Sequence, residues 1–156
     1  MSKPSVPKVK RLYPIQPTVG VGAIIVKDGK ILLEKRKNSP GRHKWSIPGG
    51  LVDLGENLEK GVIREVKEET CLDAAEVSLI DVVDDIELDD EGKVKYHFVI
   101  IDYHVEVRSG VPKAASDADE LRWVPLGEVE AYNLTSSFRL FFHENRERLE
   151  KLSSYS

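Results

Sequence analysis

One cysteine, Cys71, stands among 156 residues, so no intrachain disulfide can form. That suits a reducing compartment, and a cytoplasmic protein is expected. Long apolar runs are missing too. Stretches such as Phe98-Val99-Ile100-Ile101 fall far short of the roughly 20 residues that cross a bilayer. The opening Met1-Ser2-Lys3-Pro4-Ser5-Val6-Pro7 has nothing like the apolar core of a signal peptide. No membrane partner is expected. Nor is there an excess of positive charge: 23 basic against 27 acidic side chains leave a net −4. A surface of that sign does not suit a grip on long nucleic acid through many phosphates. It leaves room for a small phosphorylated ligand met by a local basic cluster. Internal repeats and breaks in composition are also absent, which points to one domain.

Hydrophobic residues make up 40% and charged residues 32%, the balance of a chain that can bury a core. Residues 1–12, with their prolines and basic side chains, are expected to form a flexible N-terminal tail, and residues 13–156 a single domain. Thr18 to Val26 is β-branched and apolar, Lys27-Asp28-Gly29-Lys30 supplies a hairpin turn, and Ile31 to Arg36 returns. Lys37 to His43 reads as a loop, and Trp45 to Ile47 runs into Pro48-Gly49-Gly50. Further strands are expected at Val77 to Val83 and Val94 to Val107, around a turn at Asp89-Asp90-Glu91-Gly92. A second loop, Arg108 to Asp119, precedes Leu121 to Val124. Helical spacing marks Leu58 to Thr70, with Asn57 as N-cap, and Ser136 to Leu152. Two helices among several strands predict an α/β fold with a mixed β-sheet.

The first helix carries an unusual pattern. On a wheel of about 100° per residue, Leu58, Val62, Val66 and Ile63 fall at about 0°, 40°, 80° and 140°, an apolar stripe. A solvated acidic face would lie opposite that stripe. Glu65, Glu68 and Glu69 instead fall at about 340°, 280° and 20°. Glu69 therefore sits inside the stripe and Glu65 at its edge. Clustered carboxylates that lose water stay ionised only beside a compensating cation. Oxygen ligands at i, i+3 and i+4 suit Mg²⁺ or Mn²⁺. Arg64 can pair with Glu68 one turn on, or reach back to Glu56.

Read from Gly50, the segment runs Gly50, five residues, Glu56, seven residues, then Arg64-Glu65-Val66-Lys67-Glu68-Glu69-Thr70-Cys71-Leu72. This closely resembles the Nudix box, the signature of the Nudix hydrolases. Six fully specified residues match, a coincidence of about 10⁻⁷ per starting position at roughly 7% usage each. The likeness extends from Val19 to Leu126, through Trp45-x-x-Pro48-Gly49-Gly50 and Arg122-Trp123-Val124-Pro125-Leu126. It implies a Nudix-type α/β/α sandwich with a mixed β-sheet, and hydrolysis of a nucleoside diphosphate linked to another group. It also implies metal, Mg²⁺ or Mn²⁺, on the glutamates Glu65, Glu68 and Glu69 and on the backbone carbonyl of Gly49. Glu56 and Arg64 resemble the pair that orients those carboxylates. One residue departs from the pattern: the family usually has glycine where Cys71 stands. A left-handed residue past a helix end costs a side chain about 1 kcal/mol, so Cys71 should strain the helix exit. An inert structural cysteine is expected there rather than a reactive thiol.

The base that takes a proton from water is open between Glu68, Glu69 and an acid of the second loop, where Asp117, Asp119 and Glu120 precede Trp123. Asp119 and Glu120 are expected to touch substrate. In the basic stretch from Lys35 to Lys44, Arg36 is expected to hold phosphate through its planar fork. Trp45, Phe138, Phe141 and Phe142 read as core, Gly61 as a point of close packing, and His97 and His104 as residues on opposite strand faces. An ADP-ribose-like nucleotide sugar is expected as substrate ahead of an oxidised nucleoside triphosphate. Against it, the proline that often follows the box in ADP-ribose enzymes is missing, and Ile86 to Leu88 lie there. The competing reading is a non-catalytic, nucleotide-binding Nudix-like regulatory domain, but all four box glutamates and Arg64 are present. Family members are commonly dimers, so a homodimer is possible on that likeness.

Overall fold

The computed structural model describes residues 9–154. Of the tail expected over residues 1–12, the first eight lie outside the described residues, and residues 9–12 join no helix or strand. The chain then runs β1 (Thr18–Ile24), β2 (Val26–Lys27), β3 (Lys30–Arg36), β4 (Trp45–Ser46), β5 (Gly49–Leu51) and α1 (Leu58–Thr70). It continues through β6 (Ala74–Leu88), β7 (Val94–Val107), β8 (Ala118–Pro125), a 3₁₀ turn at Leu126–Ala131 and α2 (Ser136–Ser154).

The strands form two sheets. One has the order β5-β1-β7-β6, with β1 parallel to β7 and the outer pairs antiparallel. In the other, β8 pairs along the length of β3, while β2 and β4 pair with its two ends. The sheet is therefore mixed, as expected.

Residues 18–26 do not form one hairpin arm. The chain leaves the first sheet at Ile24 and joins the second at Val26. Burial explains the switch: Ile24, Ile25 and Val26 are all buried, with Ile24 and Val26 in one apolar cluster and Ile25 in the other. A strand covered on both faces reads as a continuous apolar run. The hairpin turn itself is as expected, with positive φ at both Asp28 and Gly29.

Two helices cover the sheets on opposite sides. Val62 and Val66 of α1 pack on Val21, Ala23, Ile101 and Tyr103. Phe138, Phe141, Phe142 and Leu149 of α2 pack on Ile24, Ile31, Leu33 and Val124. These aromatics, and Trp45 with them, are core, and the fold is the α/β/α sandwich. β6 is longer than the expected 77–83, because it pairs β7 from Ala74 to Leu88. Asp84 and Asp85 hide that extension in the sequence, since strands seldom carry adjacent carboxylates.

Candidate active site

Helix α1 starts where Asn57 Oδ1 accepts from the Lys60 N–H at 2.9 Å, satisfying one orphan donor. Its buried residues are Gly61, Val62, Glu65, Val66, Glu69 and Thr70, while Ile63 is exposed. The covered face is thus turned toward the glutamates, further than the apolar pattern alone indicates. Gly61 permits this: a Cβ there would stand 3.1 Å from Glu56 Oε1. At the far end Cys71 adopts φ 62°, the left-handed cap, and its N–H donates to Lys67 O.

The two glycines of β5 fit the helix to the sheet. A Cβ on Gly50 would lie 2.5 Å from the Glu65 carboxylate, and one on Gly49 would strike Val21 O. The Gly49 N–H donates to Glu69 Oε1 at 2.8 Å. Arg64 gathers the acids around it. Its Nε and Nη2 donate to the two oxygens of Glu56 at 2.8 and 2.9 Å. Its Nη1 reaches Glu65 Oε1 at 2.8 Å and Glu68 Oε2 at 3.1 Å, and Nη2 also donates to Leu51 O. The guanidinium holds the Glu56 carboxyl down at about 2.

Glu69 is in a different state. Burial pushes its carboxyl up to about 7, against the opposing pull of contacts with Glu34 and the Gly49 N–H. Glu34, on β3, is itself buried and displaced well upward by burial and by Glu69 beside it. Its Oε2 meets no protein donor. Burial raises Glu65 as well, although Arg64 works against the shift. Three desolvated carboxyls of this kind need protons or a cation. Glu65, Glu68 and Glu69 offer the hard oxygen donors that Mg²⁺ or Mn²⁺ takes, so the donor set fits such an ion. Among the described residues no three acids converge at metal-ligand spacing. The hydrogen bonds explain why: Arg64 draws Glu65 and Glu68, while the Gly49 N–H draws Glu69.

A cavity of about 460 Å³ opens beside these groups, lined by Arg36, Gly49, Gly50, Glu65, Glu69 and Asp117 among others. Its size suits a small ligand. Arg36 is fixed by donation from Nε to Pro40 O at 2.7 Å. Asp117 accepts from Asn38 Nδ2 at 2.9 Å. Asp119 and Glu120 do not line the cavity. Glu120 pairs instead with Arg122, whose guanidinium lies over the Trp45 ring. His97 and His104 fall on opposite faces of β7, one across from Ile86 and the other across from Ile24.

Sequence reasoning missed Glu34 and Asp102, both buried acids on strands. The signal for Glu34 was present: it continues the buried run Ile31-Leu32-Leu33, where an acid needs a partner. Asp102 likewise interrupts the apolar strand of Phe98 to Val105.

Comparison with known proteins agrees with this geometry. The family model for the NUDIX domain matches residues 16–144. An ADP-ribose pyrophosphatase of Methanocaldococcus jannaschii is 41% identical over 122 residues, 78% of this chain and 69% of that protein. A Bacillus subtilis (strain 168) protein provisionally named 8-oxo-dGTP diphosphatase is 40% identical over 119 residues, 74% of this chain and 71% of its own. The crystal structure of a MutT NUDIX hydrolase from Burkholderia pseudomallei superposes with TM-score 0.71 at 38% identity, covering 80% of this chain and 95% of that one. The chain belongs to the Nudix family. Within that family it is a Nudix pyrophosphohydrolase.

Proposed function

We propose that residues 13–156 act as one domain that cleaves the diphosphate linkage of a nucleoside diphosphate derivative, an ADP-ribose-like nucleotide sugar ahead of an oxidised nucleoside triphosphate. The observation that carries this reading is the buried pair Glu65 and Glu69 facing a cavity that also holds Arg36. Likeness alone does not choose the substrate, because relatives named for each class are about equally similar.

Glu65, Glu68, Glu69 and Gly49 would hold Mg²⁺ or Mn²⁺, which supplies charge neutralisation at the diphosphate and a more acidic attacking water. Arg36, with Nε tied to Pro40 O, presents the rest of its fork to a phosphate. Glu56 and Arg64 act as positioning residues: they brace β5 and set the Glu65 and Glu68 side chains. For the base, Glu69 and Asp117 line the cavity, whereas Glu68 turns back to Arg64. Asp119 and Glu120 would reach substrate only through movement of the strand edge that carries them. Self-association would use the exposed strip Val82, Ile86 and Leu88 on β6, and light scattering at two concentrations tests it.

The test is nucleoside monophosphate release, resolved by chromatography, from a nucleotide panel with Mg²⁺ and with Mn²⁺, comparing the wild type with Glu69→Gln. Turnover should fall by several orders of magnitude in the variant while thermal unfolding stays cooperative, because an ionisable donor to the metal is lost. Wild-type rates in Glu69→Gln would show that the site is elsewhere. No turnover of any diphosphate by the wild type would favour a nucleotide-binding regulatory role.

A further inference from the structure

Strands β3 and β8 stay paired as far as Arg36 and Ala118, past a bulge after Lys35. Beyond that point the chain parts into two loops, 37–44 after β3 and 108–117 before β8, and both contribute to the cavity lining. Three hydrogen bonds tie the loops together. The Lys37 N–H donates to Asp117 O at 3.1 Å, Lys37 Nζ to Ser116 O at 3.2 Å, and Asn38 Nδ2 to Asp117 Oδ1 at 2.9 Å. On its other side the second loop hangs on α1. The Lys113 and Ala115 N–H groups donate to Thr70 O and Glu69 O at 2.9 and 3.2 Å. Those carbonyls belong to the last turn of the helix, where no intrahelical donor remains. Residues 113–117 therefore bridge the helix that carries the glutamates and the strand end that carries Arg36.

Asp117 is the acid within this bridge. It lines the cavity with Glu65, Glu69 and Arg36, and its negative charge is felt at the Glu65 carboxyl. Lys37 holds its main chain. Among the described residues, Asn38 is the one hydrogen-bond donor to its side chain, which leaves Oδ2 for water. That bond is exposed and contributes little to stability; what it fixes is a direction. The donor type matters as well. Lys35, Arg36, Lys37, Arg42 and Lys44 make the surrounding stretch cationic, yet residue 38 is a neutral amide. Its nitrogen is the end that an ionised oxygen accepts from, so the carboxylate is oriented without its charge being cancelled.

We propose that Asn38 is a positioning residue for hydrolysis: its amide aims the Asp117 carboxylate at the glutamate end of the cavity, where that carboxylate is the base. The inference deepens the proposed diphosphate cleavage and rests on it. In that step a water oxygen bonds to one phosphorus of the linkage and a water proton passes to Asp117 Oδ2. The bridging P–O bond breaks, and its oxygen leaves with the other phosphoryl group. A general base must stand within hydrogen-bond reach of the water it deprotonates. A carboxylate on a loop meets that demand only when something stops it turning, and misplacement by about 1 Å costs about a hundredfold in rate. Asn38 is that stop. Glu69 is then left among the metal donors.

Steady-state kinetics of the full chain with Mg²⁺ test this, following AMP release from ADP-ribose and 8-oxo-dGMP release from 8-oxo-dGTP by chromatography. Asp117→Asn should lower kcat by about a hundredfold or more. Asn38→Ala should lower kcat about tenfold, with KM and melting temperature nearly unchanged. In the Asp117→Asn background it should have no further effect, because both residues act through one carboxylate. The exchanged pair, Asn38→Asp with Asp117→Asn, restores a hydrogen bond between the loops but moves the carboxylate off residue 117. Its turnover should stay at the Asp117→Asn level. Recovery in the exchanged pair would mean that the bond is only a latch, and would overturn the inference. So would wild-type kcat in either single variant, or losses that add. If the wild type hydrolyses neither compound, the proposed cleavage fails and takes the inference with it. If the wild type turns over and Asn38→Ala matches it, the inference alone falls.

Discussion

Arg64 holds both carboxylate oxygens of Glu56, eight residues earlier, with Nε and Nη2 at 2.8 and 2.9 Å. The fork cannot be copied by a single ammonium. Arg64→Lys should therefore cost about 2 kcal/mol of stability and lower kcat more than KM, because Glu65 and the Leu51 carbonyl lose their donor together. The pH dependence has a definite sign. Glu56 is depressed in the fold to about 2 from 4.5, so its contribution is complete above about 4.5 and lost as pH falls through about 2. Urea midpoints of wild type and variant should differ at neutral pH and converge at about pH 2. A gap that stays constant would show that the pair is not the source.

The adjacent glycines of β5 should fail in different ways. An added Cβ on Gly50 meets only the movable end of Glu65, whereas one on Gly49 meets the backbone at Val21. Gly50→Ala should leave the melting temperature nearly unchanged but weaken Mn²⁺ binding and lower turnover by about tenfold or more. Gly49→Ala should lower the melting temperature, with overpacking costing about 1–3 kcal/mol. Calorimetry and Mn²⁺ titration on both variants separate the cases. Equal thermal losses would count against this division.

Cys71 occupies a left-handed position at φ 62°, where glycine carries no Cβ penalty. Cys71→Gly should stabilise the chain by about 1 kcal/mol, raising the melting temperature by roughly 2–4 °C. Turnover should not change, because the exposed side chain lies outside the cavity lining. A lower melting temperature would mean that the extra freedom of glycine in the unfolded chain outweighs the relief.

What the sequence made legible followed from range. Helix α1, its Asn57 cap and the spacing of Glu56, Arg64, Glu65, Glu68 and Glu69 are local patterns, and they stand in the fold at the expected residues. The parallel pairing of β1 with β7 joins Thr18 to Phe98, a contact that leaves no local trace, so residues 18–26 read as a simple hairpin arm. The helix wheel placed Ile63 toward the core because it weighs hydrophobicity alone. Packing of Glu56 over Gly61 and of Gly50 on Glu65 turned the helix instead. Among the acids before Trp123, composition could not separate Asp117 from Asp119 and Glu120, and the last two stand on β8 rather than in the expected loop. The fold separates them, since only Asp117 lines the cavity.

Asp102 also allows a test that needs no ligand. Burial, with Asp81 nearby, pushes its carboxyl up to about 7 from 3.8. The folded chain therefore keeps a proton that the unfolded chain releases above about pH 4. Stability falls as pH rises through that window, and the penalty is complete above about 7. Linkage sets its size at about 4 kcal/mol at most. An asparagine cannot titrate and so escapes it. Asp102→Asn should gain on the wild type steadily between about pH 4 and 7, then hold a constant lead, in urea unfolding at matched ionic strength. Groups remote from Asp102 titrate alike in both proteins and cancel in the difference. Parallel stability curves would show that Asp102 is ionised in the fold at every pH in the window, with a cation or donor beside it.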